Sequence, residues 1–284
     1  MLIAGQRIKR TISLDRKIAC LTLDFELDYG DRTGDFNILK DNIDDISRLA
    51  DAFREFETPV SAFARTDIFE TYPEALDAAK NIASDFHTHS HTHNTVDFNS
   101  HLEFSQMKEA FHKTFGYYPI GYRAPQGVLY EGDVERLRQE GFLFSSSVFP
   151  SYRPGKFNNM KVPLSPFIYE NGLLEIPIAA VPGIRYTISS SYMKLLGYSM
   201  NKLIWDFFGL PNILLVDMHL HDFIVNPKSF SKLPVPIQVA YSINKTKGIL
   251  YISNFIKHLK KLGYQFFTVT DLYESLQDKM GGPQ

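Results

Sequence analysis

Apolar and polar residues alternate along this chain with two different periods. Short apolar runs rich in β-branched and aromatic residues predict buried strands, and stretches with apolar residues three or four positions apart predict amphipathic helices. IACLTLDF (residues 18–25) predicts a first strand, residues 37–56 predict a helix with one apolar stripe, and PVSAFA (59–64) predicts the next strand. The chain therefore starts with a strand, a helix and a strand.

The same alternation continues along the rest of the chain. Further strands are predicted at PIGYRA (119–124), FLFSSSV (142–148), LLEIPIA (173–179), ILLVDMH (213–219) and YQFFTVT (264–270), and further helices near 73–82, 101–115, 131–140 and 248–261. Strands that alternate with helices imply a mainly parallel sheet. The chain lacks a dinucleotide-binding glycine pattern and an obvious linker, so we predict an α/β fold, a distorted, seven-stranded, TIM-like (β/α) barrel, as a single domain over residues 1–284.

Composition narrows the class of protein. Hydrophobic residues make up 44% of the 284 residues, which is enough for a large core and excludes general disorder. The net charge of -2 gives no sign of the basic field that nucleic acids attract, so we expect no nucleic-acid partner. The lone Cys20 allows no internal disulfide, and the N-terminal basic run follows the apolar residues instead of preceding them, so we expect a cytoplasmic protein that is not exported by a secretory signal.

Residues 192–216 are the most apolar stretch, but charged residues and a proline interrupt it, so we predict no transmembrane segment. Its Trp205, Phe207 and Phe208 raise the alternative of a peripheral membrane contact over 192–208. We favour a core-facing helix followed by a buried strand, because the LPN sequence at 210–212 suits a turn between them.

Acidic residues crowd the end of the first predicted strand. TLDFELD carries carboxylates at Asp24, Glu26 and Asp28, and alternate residues of an extended chain share a face. Three acids on one face repel each other unless a cation or a proton-transfer task offsets the repulsion. The pattern predicts a cation or acid-base site there, with Asp28 equally consistent with a solvated position.

Four histidines fall within seven residues, at His87, His89, His91 and His93. Residues two apart align on a strand and residues four apart align on a helical turn, so the pairs His87/His91 and His89/His93 both remain open. Two imidazoles and one carboxylate would leave a coordination position open on zinc, as catalytic sites do.

Five motifs in order resemble those of the polysaccharide deacetylases of carbohydrate esterase family four, also called the NodB homology domain. They are LTLDFELD (21–28), SDFHTHSHTH (84–93), RAPQG (123–127), FSSSVFP (144–150) and MHLHDF (218–223). The match spans about residues 18–270. It implies that 1–284 is a single deacetylase-like catalytic domain.

The resemblance implies a metal site and names its ligands. Glu26, His89 and His93 would hold a divalent metal, with Asp28 as an alternative to Glu26. Zinc is the expected metal, and such sites also accept cobalt, nickel or manganese.

The resemblance also implies the catalytic roles. Asp24 would be the general base, Arg123 its partner, and His219 the acid that protonates the departing amine. The backbone N–H of Gln126 would stabilise the oxyanion. Ser145 stands where the fourth motif often has a carboxylate, so support for His219 has to come from elsewhere, for which Asp222 is the candidate.

The expected activity is metal-dependent hydrolysis of the N-acetyl amide of an amino sugar in a polysaccharide, oligosaccharide or glycolipid, with release of acetate. An N-acetylated carbohydrate is thus the expected partner. The alternative keeps the metal and the barrel but acts on a non-sugar amide or a cyclic imide. His87 and His91 are expected to hydrogen-bond nearby loops or a carboxylate around the site, and His221 to be structural.

Overall fold

The computed structural model describes residues 2–29, 36–93 and 101–280. Thirteen strands are present in these ranges. They are β1 (Leu2–Ile3), β2 (Gln6–Thr11), β3 (Ile18–Phe25), β4 (Val60–Ala64), β5 (Asp85–Thr88), β6 (Gly121–Tyr122), β7 (Phe144–Ser145), β8 (Tyr152–Arg153), β9 (Phe157–Asn158), β10 (Phe167–Tyr169), β11 (Leu174–Glu175), β12 (Ile213–His219) and β13 (Gln265–Phe266).

Seven of the strands in the described part of the chain form a continuous parallel sheet, in the order β11, β7, β6, β5, β4, β3 and β12. The two end strands approach each other, because the N–H of Ala179, beyond β11, donates to the carbonyl of Leu215 at 2.9 Å. An isolated parallel bridge joins Ser189 to Asp217 in the same region. The predicted α/β barrel is confirmed, with a short break in the hydrogen-bonded ladder, and β13 pairs in parallel with β3 beside this seven-strand path.

An antiparallel extension was not predicted. β1 and β2 form a hairpin, and β2 pairs with β10, which in turn pairs with β11. QRIKRT in β2 is largely exposed and carries basic side chains. Such a sequence lacks the apolar run from which the other strands were recognised.

The described residues also contain twelve α-helices. They are α1 (Ile38–Asp41), α2 (Ile43–Arg54), α3 (Ile68–Thr71), α4 (Pro73–Lys80), α5 (His101–Phe115), α6 (Asp133–Gln139), α7 (Ser190–Leu196), α8 (Tyr198–Phe208), α9 (Pro227–Ser231), α10 (Val235–Ser242), α11 (Gly248–Lys261) and α12 (Val269–Met280). None of the helices in these ranges is long and apolar enough to cross a membrane.

Several predicted boundaries differ from the structure, among them those of one helix and one strand with a clear local cause. The helix expected over 37–56 is divided at Asn42, which ends α1 and precedes α2. The strand expected over 264–270 stops at Phe266, because Thr268 and Asp271 each accept a hydrogen bond from the other's backbone N–H and start α12.

Alternation along β3 and β12 separates the outer layer from the barrel interior. Leu21, Leu23 and Phe25 pack outward against the helices, whereas Ile18 and Cys20 belong to the inner cluster. Continuing the inward face of β3 leads to Thr22 and Asp24, and on β12 the inward Ile213 and Leu215 are followed by Asp217 and His219. The interior thus changes from apolar to ionisable at the C-terminal ends of the strands.

Candidate active site

Strand register brings the predicted site residues to one rim of the barrel. Asp24 on β3 lies opposite His219 on β12. Thr88 on β5 lies opposite Tyr122 on β6, so that His89 and Arg123 leave neighbouring strands together. Because these strands are parallel, their C-terminal ends gather the side chains around one cleft.

Glu26, His89 and His93 converge in a buried cluster. Glu26 Oε2 lies 2.8 Å from His93 Nε2 and 3.3 Å from His89 Nε2. One ligand atom from each residue lies within 4.8 Å of the other two. Ligands of a tetrahedral zinc ion at about 2.0–2.1 Å are roughly 3.3 Å apart, so these three residues fit a divalent cation.

The electrostatics of the cluster support that fit. Burial alone would raise the pKa of Glu26, but the rings of His93 and His89 hold that pKa well below its usual range. Glu26 Oε2 is buried and accepts no well-aligned hydrogen bond from the described residues. A buried carboxylate that two imidazole nitrogens approach this closely is also stabilised when a divalent cation lies between the three side chains.

A loop, and neither a strand nor a helical turn, brings His89 and His93 together. Ser90 and His93 both have left-handed backbones, with φ of 67° and 59°. Ser90 Oγ accepts the N–H of His93 at 2.9 Å, and Glu103 accepts the N–H of His91 at 2.6 Å. The alignment on a strand and the alignment on a helical turn, both considered from the spacing, are therefore wrong. The rings of His89 and His93 nevertheless come together.

Asp28 lies apart from this cluster. Its Oδ1 accepts the N–H of Ile38 at 3.0 Å, and its Oδ2 accepts the hydroxyl of Ser229 at 2.7 Å. The side chain is buried, and burial raises its pKa to about 6. Both oxygens anchor α1 and α9 to the end of β3, so the expectation of a solvated Asp28 is wrong, and these contacts give no support to Asp28 as the alternative metal ligand.

Arg123 holds Asp24 inside the rim. An N–H of Arg123 donates to Asp24 Oδ1, while Nε and Nη2 donate to the carbonyl and hydroxyl of Ser146 at 3.0 and 3.1 Å. The guanidinium also lies 3.9 Å from the centre of the Phe63 ring. Arg123 is fully buried, so these contacts fix where the Asp24 carboxylate points.

His219 lies among four carboxylates. Its Nε2 is 3.7 Å from Asp24 Oδ2 and 3.7 Å from Glu26 Oε1, and its Nδ1 is 3.9 Å from both Asp217 Oδ2 and Asp222 Oδ2. Burial lowers the pKa of His219, but the carboxylates, Asp217 foremost, raise it to about 9.

Sequence reasoning missed Asp217 and found Asp222. Asp217 is two residues before His219 on the same inward face of β12. An acidic residue inside an otherwise apolar strand is the sequence signal by which it could have been found. Its Oδ1 lies 3.5 Å from Arg123 Nη1, so that Asp217 lies between Arg123 and His219.

Asp222 is held from the other side. Ser190 and Ser191 donate their hydroxyls to its two oxygens, the second at 2.6 Å. Burial would raise the pKa of Asp222, but His221, Lys194 and the serine hydroxyl contribute to lowering it. Asp222 Oδ2 also accepts the N–H of His219 at 3.1 Å, which fixes the backbone of the histidine.

The other three histidines of the two histidine-bearing motifs are held by polar contacts. His87 Nε2 lies 3.1 Å from Asp85 Oδ2, and His91 Nδ1 lies 2.9 Å from Thr66 Oγ1. His221 Nδ1 accepts the N–H of Tyr29 at 3.4 Å, and burial lowers its pKa to about 3.

The cluster opens into a cleft of about 330 Å³. Gln126 lines it from a short 3₁₀ turn, where its own φ is 57°. Aromatic side chains form much of the remaining wall, namely Tyr29, Phe149, Tyr152, Phe157, Tyr192 and Tyr241. The volume lies in the range of small-molecule sites, and rings beside polar groups suit a ligand with both apolar and polar faces.

Glu175 supports the wall that holds Arg123. Its Oε1 accepts the N–H groups of Ser147 and Val148 at 2.7 and 2.8 Å, and Ser147 Oγ accepts the N–H of Ala124 at 2.8 Å. Glu175 is fully buried. Burial raises its pKa, although those two N–H groups, Ser145 and Arg123 act in the opposite direction.

Glu175→Gln is expected to make the free energy of unfolding less dependent on pH. A carboxyl whose pKa is raised by folding contributes its full stability below the unfolded value of about 4.3 and loses it as pH rises through the folded value. The amide keeps an oxygen for Ser147 and Val148. Denaturant unfolding at pH 5 and pH 8 gives the free energy of unfolding of wild type and of Glu175→Gln. The difference between the two proteins should shrink or reverse at pH 8. An equal difference at both pH values would contradict a raised pKa for Glu175.

Comparisons with known proteins give the fold. No protein-family model and no protein of curated function matches the sequence. A solved structure described as a polysaccharide deacetylase of Mycobacterium smegmatis aligns with a TM-score of 0.59 at 15% identity, covering 99% of this chain and 98% of that one. One described in the same way from Pseudomonas aeruginosa PAO1 gives 0.58 at 15% identity, covering 95% and 94%.

A third solved structure, of Puue allantoinase, is as similar. Its TM-score is 0.58 at 15% identity, covering 93% of this chain and 91% of that one. The chain therefore has the fold that these deacetylases and this allantoinase share.

Proposed function

We propose that this protein is a metal-dependent amide hydrolase that removes the acetyl group from an N-acetylated amino sugar. The sugar would belong to a polysaccharide, an oligosaccharide or a glycolipid, and the products are the free amine and acetate. The observation that carries the proposal is the meeting of the Glu26, His89 and His93 cluster with Asp24, Arg123 and His219 at the floor of one cleft.

Glu26, His89 and His93 would hold the metal, with zinc as the first choice for two imidazoles and a carboxylate. A divalent cation bound there supplies a Lewis acid for the amide carbonyl and lowers the pKa of bound water.

Asp24 is the proposed general base. Arg123 fixes the carboxylate on the floor of the cleft, and Asp24 Oδ2 lies 4.0 Å from His89 Nε2, beside the proposed ligands. A water molecule in the cleft can therefore pass its proton to Asp24 as it attacks the amide carbon.

His219 is the proposed acid for the departing amine. Its Nε2 lies 3.7 Å from Asp24 Oδ2 and 3.7 Å from Glu26 Oε1, beside the proposed base and metal ligand. Asp217 and Asp222 lie on the Nδ1 side of the ring, each 3.9 Å away. The backbone N–H of Gln126 is proposed to stabilise the oxyanion, which its position in the cleft wall supports. Asp217 is a positioning residue in this scheme.

A second candidate is hydrolysis of a non-sugar amide or a cyclic imide with the same residues. The similarity to an allantoinase, equal in TM-score to one of the deacetylases, favours keeping it. The two functions differ in the substrate and share the proposed base and acid.

Acetate release separates the two candidates. Protein purified with added zinc is expected to release acetate from N-acetylglucosamine oligomers and to leave allantoin intact, with about one metal ion bound per chain by elemental analysis. Chelator-treated protein is the control and is expected to lose activity until metal is restored. Ring opening of allantoin without acetate release would favour the second candidate. Absence of both reactions with every N-acetylated sugar and cyclic imide tested would contradict both candidates.

A further inference from the structure

A group of large apolar side chains is exposed on three neighbouring helices. They are Tyr192, Leu195 and Leu196 on α7, Met200, Leu203, Phe207 and Phe208 on α8, and Val235 and Val239 on α10, with Ile243 just after it. We call this set the apolar face. Phe207 is 79% exposed and Val235 71%, far more than side chains that pack against the rest of the molecule. Large apolar side chains that are exposed together on neighbouring helices are typical of an interaction site.

The exposure follows helical periodicity. Met200, Leu203 and Phe207 are three and four residues apart on α8, whereas Asn201 and Trp205 on its other side are buried. The prediction that this helix faces the core is therefore confirmed for Trp205, which is buried, and wrong for Phe207, which is exposed. Since α8 carries apolar residues on both sides, one side remains available for a partner.

The apolar face borders the cleft. α7 packs against α8 and α10, and the side chain of Asn244 donates to the carbonyl of Lys194 at 2.9 Å, which ties the end of α10 to α7. Tyr192 and Leu195 from α7 and Ile237 from α10 line the cleft itself. A partner bound to the apolar face would therefore also lie at the cleft mouth.

Charge is distributed unevenly between this part of the chain and the rest. Residues 176–270 contain ten of the 30 Lys and Arg residues but three of the 32 Asp and Glu residues, a net charge of +7 against -9 elsewhere. Of the three acids, Asp217 and Asp222 are buried and Asp206 pairs with Lys202. The exposed charge that residues 176–270 carry, the part of the chain that holds the apolar face, is therefore mainly cationic.

Lysines flank α10 directly. Lys228 and Lys232 precede it and are exposed, and Lys245 and Lys247 follow it. Exposed apolar side chains flanked by lysines are the features of helices that lie in the interface of an anionic membrane.

We propose that the apolar face and its flanking lysines dock this protein on an anionic lipid bilayer, with the cleft mouth held at the level of the headgroups. The inference goes beyond the proposed function and does not depend on it. A second copy of the chain fits this surface less well, because pairing two such faces would bring like charges together.

Binding to lipid vesicles tests the proposal without any assay of activity. The full chain is expected to sediment with phosphatidylcholine vesicles that contain phosphatidylglycerol, and much less with pure phosphatidylcholine. The double variant Leu203→Ser/Phe207→Ser is expected to bind about tenfold more weakly or worse. Lys228→Gln/Lys232→Gln should lose about fivefold for each lysine and reduce the salt dependence.

Tyr130→Ser is the matched control. Tyr130 is 47% exposed but lies outside the cationic part of the chain, so its replacement should leave vesicle binding unchanged. Circular dichroism of each variant checks that it is folded. Acetate release from a soluble oligomer by Leu203→Ser/Phe207→Ser should match wild type, because neither residue lines the cleft.

Two results would overturn the proposal. One is vesicle binding that is absent in the wild type or unaffected by the apolar substitutions. The other is a concentration-dependent dimer in analytical ultracentrifugation that the same substitutions abolish, without vesicle binding, which would assign the apolar face to self-association. Failure of the acetate assay alone would count against the proposed function and leave the membrane proposal standing.

Discussion

Asp24→Asn is expected to lower the rate of acetate release by about 10²–10⁴-fold while the protein stays folded. Asparagine has nearly the same shape and keeps an oxygen that can accept the hydrogen bond from Arg123. The amide cannot take up the proton of the attacking water. Because Glu26, His89 and His93 are unchanged, the metal content should remain close to that of wild type.

Three measurements on the same preparation check this expectation. They are acetate release, metal content by elemental analysis, and thermal unfolding. Asp51→Asn is a suitable control, since Asp51 is 71% exposed on α2 and its side chain pairs with Arg54 on the next turn of the same helix. An unchanged rate in Asp24→Asn would remove Asp24 from the mechanism, and loss of metal would assign it to the binding site instead.

The sequence predicted the central strands well because their patterns are strong. β3, β12 and α11 have the predicted bounds, since each is a long apolar run or a clear helical period. β6, β7 and β11 contain only two residues each, and the predicted runs around them extend into loops that carry the rim. An apolar run alone does not distinguish the residues that pair in the sheet from the loop residues next to them.

The meeting of Glu26, His89 and His93 was predictable by motif and not by geometry. The left-handed backbones of Ser90 and His93 fall on residues without the glycine signal that usually marks such conformations. Asp28 lies apart from Glu26, His89 and His93 for a related reason. The alternation that places Asp24 on the inward face ends with β3 at Phe25, so it does not extend to Asp28 in the bend beyond.

The largest difference between two similar substitutions is expected at Glu26 and Asp28. Both are buried acids just after β3, two residues apart, but Glu26 faces His89 and His93 whereas Asp28 binds Ile38 and Ser229. Glu26→Gln should weaken metal binding by more than about 100-fold, since replacing even a residue that supports a ligand costs 10–100-fold. Acetate release should fall with the metal content.

Asp28→Asn should behave differently on every readout. Its oxygen can still accept the N–H of Ile38, so we expect a loss of about 0.5–1.5 kcal/mol in the free energy of unfolding, with metal content and rate near those of wild type. Metal titration, acetate release and denaturant unfolding of the two variants side by side make the comparison. Equal loss of metal in both variants would show that Asp28 shares the cation. Retention of metal in Glu26→Gln would show that the two histidines bind the metal with a different carboxylate. Asp24 is the candidate for that carboxylate, because its Oδ2 lies 4.0 Å from His89 Nε2.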